Sequence, residues 1–116
     1  MKGFSIIIVT WNGLHHLKTF LPSVCDTDYP DFEIILADNA SGDGTVEWVN
    51  ENFPEVIIST FDDNYGYCGG NNRAVATASK EILLFLNNDV KVDANWLHGI
   101  NECFESDETI GAVQPK

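Results

Sequence analysis

Apolar runs alternate with helical stripes along this chain, and each run ends in a cluster of polar or glycine residues. Ser5 to Val9 is a β-branched run bounded by Gly3 and Asn12-Gly13, which predicts a first strand. Leu14, Leu17, Phe20, Leu21 and Val24 then recur at helical spacing, predicting a helix that packs this stripe on a sheet and turns His15, Lys18 and Thr19 to water. The turn Tyr29-Pro30-Asp31 precedes a second strand from Phe32 to Ala37. Asp38 to Gly44, DNASGDG, consists almost wholly of residues that tolerate turns or positive φ. Val46, Val49 and Phe53 mark a short helix closed by Pro54, and Val56 to Thr60 gives a third strand. A second flexible loop, Asp62 to Gly70, leads into a small-residue helix, Asn71 to Ser79, packing through Ala74, Val75 and Ala78.

Ile82 to Leu86 has no polar position at all. Such a run predicts a central parallel strand covered on both faces, and it stops abruptly at Asn87, Asn88 and Asp89. Trp96 or Leu97, Ile100 and Phe104 form a fourth helical stripe, and Ile110 to Gln114 begins another strand. The repeated strand-helix alternation predicts an α/β domain, doubly wound, with a mostly parallel sheet and helices on both faces. Residues 1–116 form one domain at most. A chain stopping at Pro115-Lys116, just after a strand begins, is expected to be the amino-terminal part of something longer. Polar loops follow strands one, two and four: Thr10-Trp11-Asn12, Asp38 to Gly44, and Asn87 to Asp93. If those strands are neighbours, the loops converge at the carboxyl edge of the sheet, where open α/β sheets bind ligands.

Charge narrows the partners. Six basic against eighteen acidic residues give a net charge of -12, which works against any polyanion and excludes nucleic acid as the expected partner. A small anion stays compatible if a divalent cation, helix amino termini or backbone amides supply local positive field. Cys25, Cys68 and Cys103 are odd in number with no CxxC pair, so reduced thiols in a cytoplasmic chain are expected. The apolar start is interrupted by Asn12-Gly13 before any cleavage-site pattern, which favours a buried strand over a signal peptide. No run approaches the roughly 20 apolar residues of a membrane span, so membrane association would need further sequence.

Common fingerprints fail. No GxGxxG follows the first strand and no GxxxxGK[ST] occurs, against the usual dinucleotide fold and a P-loop. With Gly44 at the glycine position of an EF-hand, Asn39 and Asn50 stand where Asp and Glu are required. His15 and His16 are adjacent, so they are expected on different sides of a surface helix, and the Asp62-Asp63 and Asp107-Glu108 pairs are expected as solvated charges.

SIIIVTWNG, ADNASGDGT, NYGYCGGNNRA and LFLNNDVKVD, in that order, resemble the amino-terminal half of a family 2 glycosyltransferase. The resemblance implies a GT-A, Rossmann-like fold that binds a nucleotide-diphosphate sugar. It implies transfer, with inversion, to a glycan or lipid-linked acceptor, in the cytoplasm at the inner face of the membrane. By the same resemblance Asn87-Asn88-Asp89 stands where a DxD-type motif holds Mg²⁺ or Mn²⁺, with Asp89 as the metal ligand and an uncharged amide at Asn87. Asp38 is implied to accept a hydrogen bond from the base. Thr10, Trp11 and Asn12 are implied to lie beside it, with packing as the alternative for the Trp11 indole. Asn64, Gly66 and Asn72 are implied near ribose and phosphate. The catalytic base is expected beyond Lys116, so these residues alone are expected to transfer nothing. Two other readings stand beside this one: a non-catalytic nucleotide or sugar-nucleotide binding module, and a plain α/β interaction domain.

Overall fold

A computed structural model of the chain describes residues 2–106. In order they form β1 (Phe4–Thr10), α1 (Leu14–Cys25), β2 (Phe32–Asp38), α2 (Thr45–Asn52), β3 (Ile57–Thr60), α3 (Gly66–Val75), β4 (Ile82–Leu86) and α4 (Trp96–Ser106). The strands make one parallel sheet in the order β3-β2-β1-β4. Parallel neighbours cannot be joined by a hairpin, and a helix crosses between each successive pair of strands.

Strand alternation sorts the apolar residues into two layers. Phe4, Ile6 and Ile8 of β1, Ile34 and Leu36 of β2, and Leu84 and Leu86 of β4 meet Leu17, Leu21 and Val24 of α1, Val49 of α2, and Leu97 and Ile100 of α4. On the opposite face Ile7, Ile35 and Ala37 pack with Ala74 of α3. Helices therefore cover both faces, as the alternating pattern predicts. Each fully buried isoleucine, such as Ile8, contributes about 2 kcal/mol through removal of its side chain from water.

Three local expectations are corrected. β4 is not central among the described residues: it pairs only with β1 and forms one edge of the sheet. Leu83 and Phe85 are 39% and 44% exposed, on the face where α3 covers β1 and β2. An unbroken apolar run encodes two apolar faces but not which element lies over each.

The glycine-rich stretch expected as loop to Gly70 is already helical from Gly66, and the helix ends at Val75 rather than Ser79. Glycine disfavours helix interiors, yet close packing overrides this at Gly70. A Cβ there would lie 2.9 Å from Val9 Cγ1 and 3.0 Å from Asn39 Nδ2. His15 and His16, expected on separate sides, place their rings 3.9 Å apart between centroids. The expected strand at Ile110 to Gln114 and the Asp107-Glu108 pair lie outside the described residues.

Away from the carboxyl edge, the amino ends of the strands are tied together through Glu33. Its carboxylate accepts hydrogen bonds from Ser5 Oγ at 2.6 Å and from the Ser79 amide and hydroxyl at 2.7 and 2.8 Å. Burial pushes the Glu33 carboxyl up, but those donors and the Lys80 charge outweigh it and hold the group below its ordinary value near 4.5. A depressed carboxyl contributes stability that is present above the unfolded pKa and lost as pH falls through the folded one. Glu33→Gln is expected to cost about 1 kcal/mol at pH 7. The same variant should flatten the loss of stability on acidification below the ordinary glutamate value. Urea unfolding at neutral pH and at successively lower pH, parent beside variant, checks both statements.

Candidate site at the carboxyl edge of the sheet

The strand order makes β2, β1 and β4 consecutive neighbours, so the three polar loops that follow them do converge. Thr10 and Asp38 are paired in register at the ends of β1 and β2. From the other side, Asn88 Nδ2 donates to Thr10 Oγ1 at 3.3 Å. Gly13 makes this junction possible, since a Cβ there would lie 2.5 Å from both Asn88 Nδ2 and Thr10 Oγ1. Thr10 is buried, and its hydroxyl braces the two loops.

Asn12 is also committed to bracing. It sits at φ 49°, a left-handed conformation asparagine tolerates better than most residues. Its amide donates to Ser41 Oγ at 2.9 Å, and its Oδ1 accepts from the Gly42 amide at 2.8 Å. Asp43 joins the same pair of loops, accepting from the Leu14 amide at 3.1 Å, the Thr45 amide at 3.2 Å and the Thr45 hydroxyl. Burial pushes the Asp43 carboxyl up, but the Thr45 hydroxyl and the surrounding amides more than compensate and hold it below the usual aspartate range. Trp11, between these braced residues, leaves 55% of its surface exposed, so its indole is open to a flat partner.

Beneath the loops lies Asp38, 3% exposed. Its Oδ2 accepts from the Ser41 amide at 3.2 Å, while its Oδ1 is buried with no hydrogen-bond partner. Burying an unpaired carboxylate oxygen is costly, and native folds rarely tolerate it without a purpose. Asn71 repeats the feature: 7% exposed on α3, with Oδ1 buried and unpartnered. The start of α3, the helix that carries Asn71, is tied to the end of β2 through Asn39 Nδ2 and Gly66 O. Sequence reasoning singled out Asn72 and missed Asn71. The usable signal is spacing: position 71 lies three residues before Ala74 on the inward stripe.

Asn64 and Gly66 shape the start of α3. Asn64 Oδ1 accepts from the Gly66 amide at 3.0 Å, and Gly66 adopts φ +76°, where a side chain would be strained. The remaining amides of the first turn lack intrahelical acceptors, as at any helix start. Asn72 is exposed on α3, and Asn87 and Asp89 are exposed at the end of β4. Among the described residues no group of three or more His, Cys, Asp or Glu side chains could hold a metal. One carboxylate beside an amide is too small a donor set for a protein-only cage. It does fit a hard cation shared with the phosphate oxygens of a ligand, the usual way Mg²⁺ is held.

Residues 5–115 match the family described as Glycosyl transferase family 2. The chain belongs to this family. Among similar proteins, the O-antigen biosynthesis protein RfbC of Myxococcus xanthus is 36% identical over 116 residues, covering 94% of this chain and 9% of that protein. The poly(ribitol-phosphate) β-N-acetylglucosaminyltransferase TarS of Staphylococcus aureus is 31% identical over 94 residues, 77% of this chain and 16% of the relative. The structure of S. aureus TarS 1–349 in complex with UDP matches with a TM-score of 0.82 at 23% identity, over 98% of this chain and 38% of that one. Mannosyltransferase PcManGT from Pyrobaculum calidifontis, in complex with GDP-Man and Mn²⁺, also matches at 0.82, with 24% identity over 95% of this chain and 34% of that one. At those identities the structural likeness shows the fold, which is GT-A. This family 2 chain spans from 9% to 38% of the length of these relatives. No helix among the described residues is long and apolar enough to cross a membrane.

Proposed function

We propose that the chain is the donor-binding part of an inverting glycosyltransferase that moves a sugar from a nucleotide-diphosphate sugar to a glycan or lipid-linked acceptor. The observation that carries this is the unpartnered, buried Asp38 Oδ1 at the ligand-binding edge of a GT-A sheet. An orphaned acceptor there calls for a ligand donor, and a ring N–H of a nucleobase is such a donor. Asn71 supplies a second polar side chain for the nucleoside, and the Trp11 indole a stacking surface. Asn64, Gly66 and Asn72 belong to the ribose and phosphate side, where the first-turn amides of α3 favour negative charge. Asn87 and Asn88 line the β4 side.

Asp89, with Asn87, would hold Mg²⁺ or Mn²⁺ together with the diphosphate. The cation would neutralise charge developing on the leaving nucleoside diphosphate. Inversion requires a general base on the acceptor hydroxyl, a role assigned to none of the described residues. A soluble donor and a lipid-linked acceptor place the work in the cytoplasm, at the inner face of the membrane. That UDP and UDP-GlcNAc occur in complexes with TarS, and GDP-Man with PcManGT, supports a nucleotide-sugar donor without selecting the base.

Calorimetric titration of the folded chain with UDP and GDP, each with and without Mn²⁺, tests the reading. Saturable binding of at least one nucleotide, tighter with Mn²⁺, is the expected outcome. A folded sample that binds neither under either condition would refute it.

A further inference from the structure

Asn39 is 1% exposed and, among the described residues, the only polar one of the largest fully buried side chains. Its backbone amide donates to Thr10 O at 2.9 Å, joining the ends of β1 and β2. Its side chain spans the gap to α3: Nδ2 donates to Gly66 O at 3.0 Å, and Oδ1 accepts from the Tyr65 amide at 3.3 Å. A carbonyl on one side and an N–H on the other fix the orientation of the amide, because the flipped form would oppose like groups. Gly70 closes the contact from within the helix, with room for a Cβ only 3.0 Å from Asn39 Nδ2. Asn71, one position further along α3 and nine-tenths buried, keeps its Oδ1 unpartnered, an unmet polar capacity within the same helix.

We propose that Asn39 is a positioning residue for diphosphate recognition: without touching the ligand, it fixes the amino terminus of α3 against the ends of β1 and β2. The division of labour with Asp38 follows from strand alternation. Successive side chains leave the sheet on opposite faces, so Asp38 faces the loop after β2 while Asn39 reaches the helix. A helix start can favour phosphate only if its first-turn amides are held in place when the ligand arrives. Asn39 supplies that restraint across a separation of 27 residues in sequence. The inference rests on the nucleotide-binding reading above.

Asn39→Asp keeps the acceptor for Tyr65 but replaces the donor to Gly66 with a carboxylate oxygen facing a carbonyl. Gly70→Ala presses on the same contact from the helix side, together with Val9 of β1, and leaves the polar groups of Asn39 in place. Both variants and the parent are titrated with UDP and UMP, or with GDP and GMP if the parent prefers guanine. Amide hydrogen exchange is followed in parallel over residues 64–70 and over β1 and β2. In each variant diphosphate affinity is expected to fall about tenfold while monophosphate affinity falls clearly less. Exchange should quicken over residues 64–70 and stay unchanged in the strands. Equal losses for diphosphate and monophosphate, or unchanged diphosphate affinity, would overturn the proposal. If Asn39→Asp quickens exchange throughout the sheet, Gly70→Ala decides alone by the same criteria. A parent that binds no nucleotide overturns the functional reading and this inference with it, whereas a binding parent with equal losses overturns only the role of Asn39.

Discussion

Asp38→Asn is expected to weaken nucleoside diphosphate binding by about 10- to 100-fold, equally with and without Mn²⁺. Asp38 Oδ1 is buried with no partner in the protein, and the proposed nucleobase donor would meet it there. Substitution by asparagine preserves shape and leaves one oxygen for the Ser41 amide. It replaces the unpartnered charged oxygen with an N–H₂ that donates where the ligand also donates. Because the native carboxylate is unsatisfied, the variant should unfold at the same temperature as the parent or slightly higher, the usual signature of a group retained for binding rather than for folding. Calorimetry and thermal unfolding on the same samples separate the two effects. A large fall in stability accompanying the loss of binding would mean that Asp38 serves the loop and not the ligand.

Asp89→Ala tests the other end of the site and should behave differently. Asp89 is exposed at the end of β4, so its removal is expected to change stability by less than about 0.5 kcal/mol. Asp89 is also the only carboxylate in the Asn87-Asn88-Asp89 tripeptide, and a neutral amide is a weaker partner for a hard cation. Addition of Mn²⁺ to the parent is expected to tighten UDP or GDP binding by about tenfold, and this gain should vanish in Asp89→Ala. Binding without metal should match the parent within error. Retention of the full Mn²⁺ effect would remove Asp89 from the metal role, and a matching loss without metal would make it a direct ligand contact. Asp38 and Asp89 are therefore separable by one added component.

Four short polar segments, weak signals when taken singly, gather at one place in this family 2 fold. Each follows a strand or opens a helix at the same edge of a parallel sheet, and the order β3-β2-β1-β4 brings the ends of β2, β1 and β4 side by side. The polar and aromatic residues at this edge nevertheless divide into three kinds that the sequence does not distinguish. Thr10, Asn12, Asp43 and Asn64 direct their polar atoms at neighbouring loops or amides. Asp38 and Asn71 each keep a buried Oδ1 unpartnered. Trp11 and Asp89 stay exposed.

The sequence by itself determined the kinds and order of the elements, the doubly wound class and the polar ends of the strands. These properties are local: β-branched runs, helical stripes and turn residues act through neighbours a few positions away. Tertiary structure alone decided which of those polar residues are committed and which are open. Asn12 meets Gly42 from 30 positions away, Asn88 meets Thr10 from 78, and no periodicity encodes such meetings. The same holds for the exposure of Leu83 and Phe85 on β4 among the described residues, which depends on where α3 packs, and for the helical start at Gly66. Within that helix, close approach of Gly70 to Val9 and Asn39 outweighs the poor helix propensity of glycine. Local patterns state what a segment prefers, and long-range packing determines which preferences are met and which polar atoms are left for a ligand.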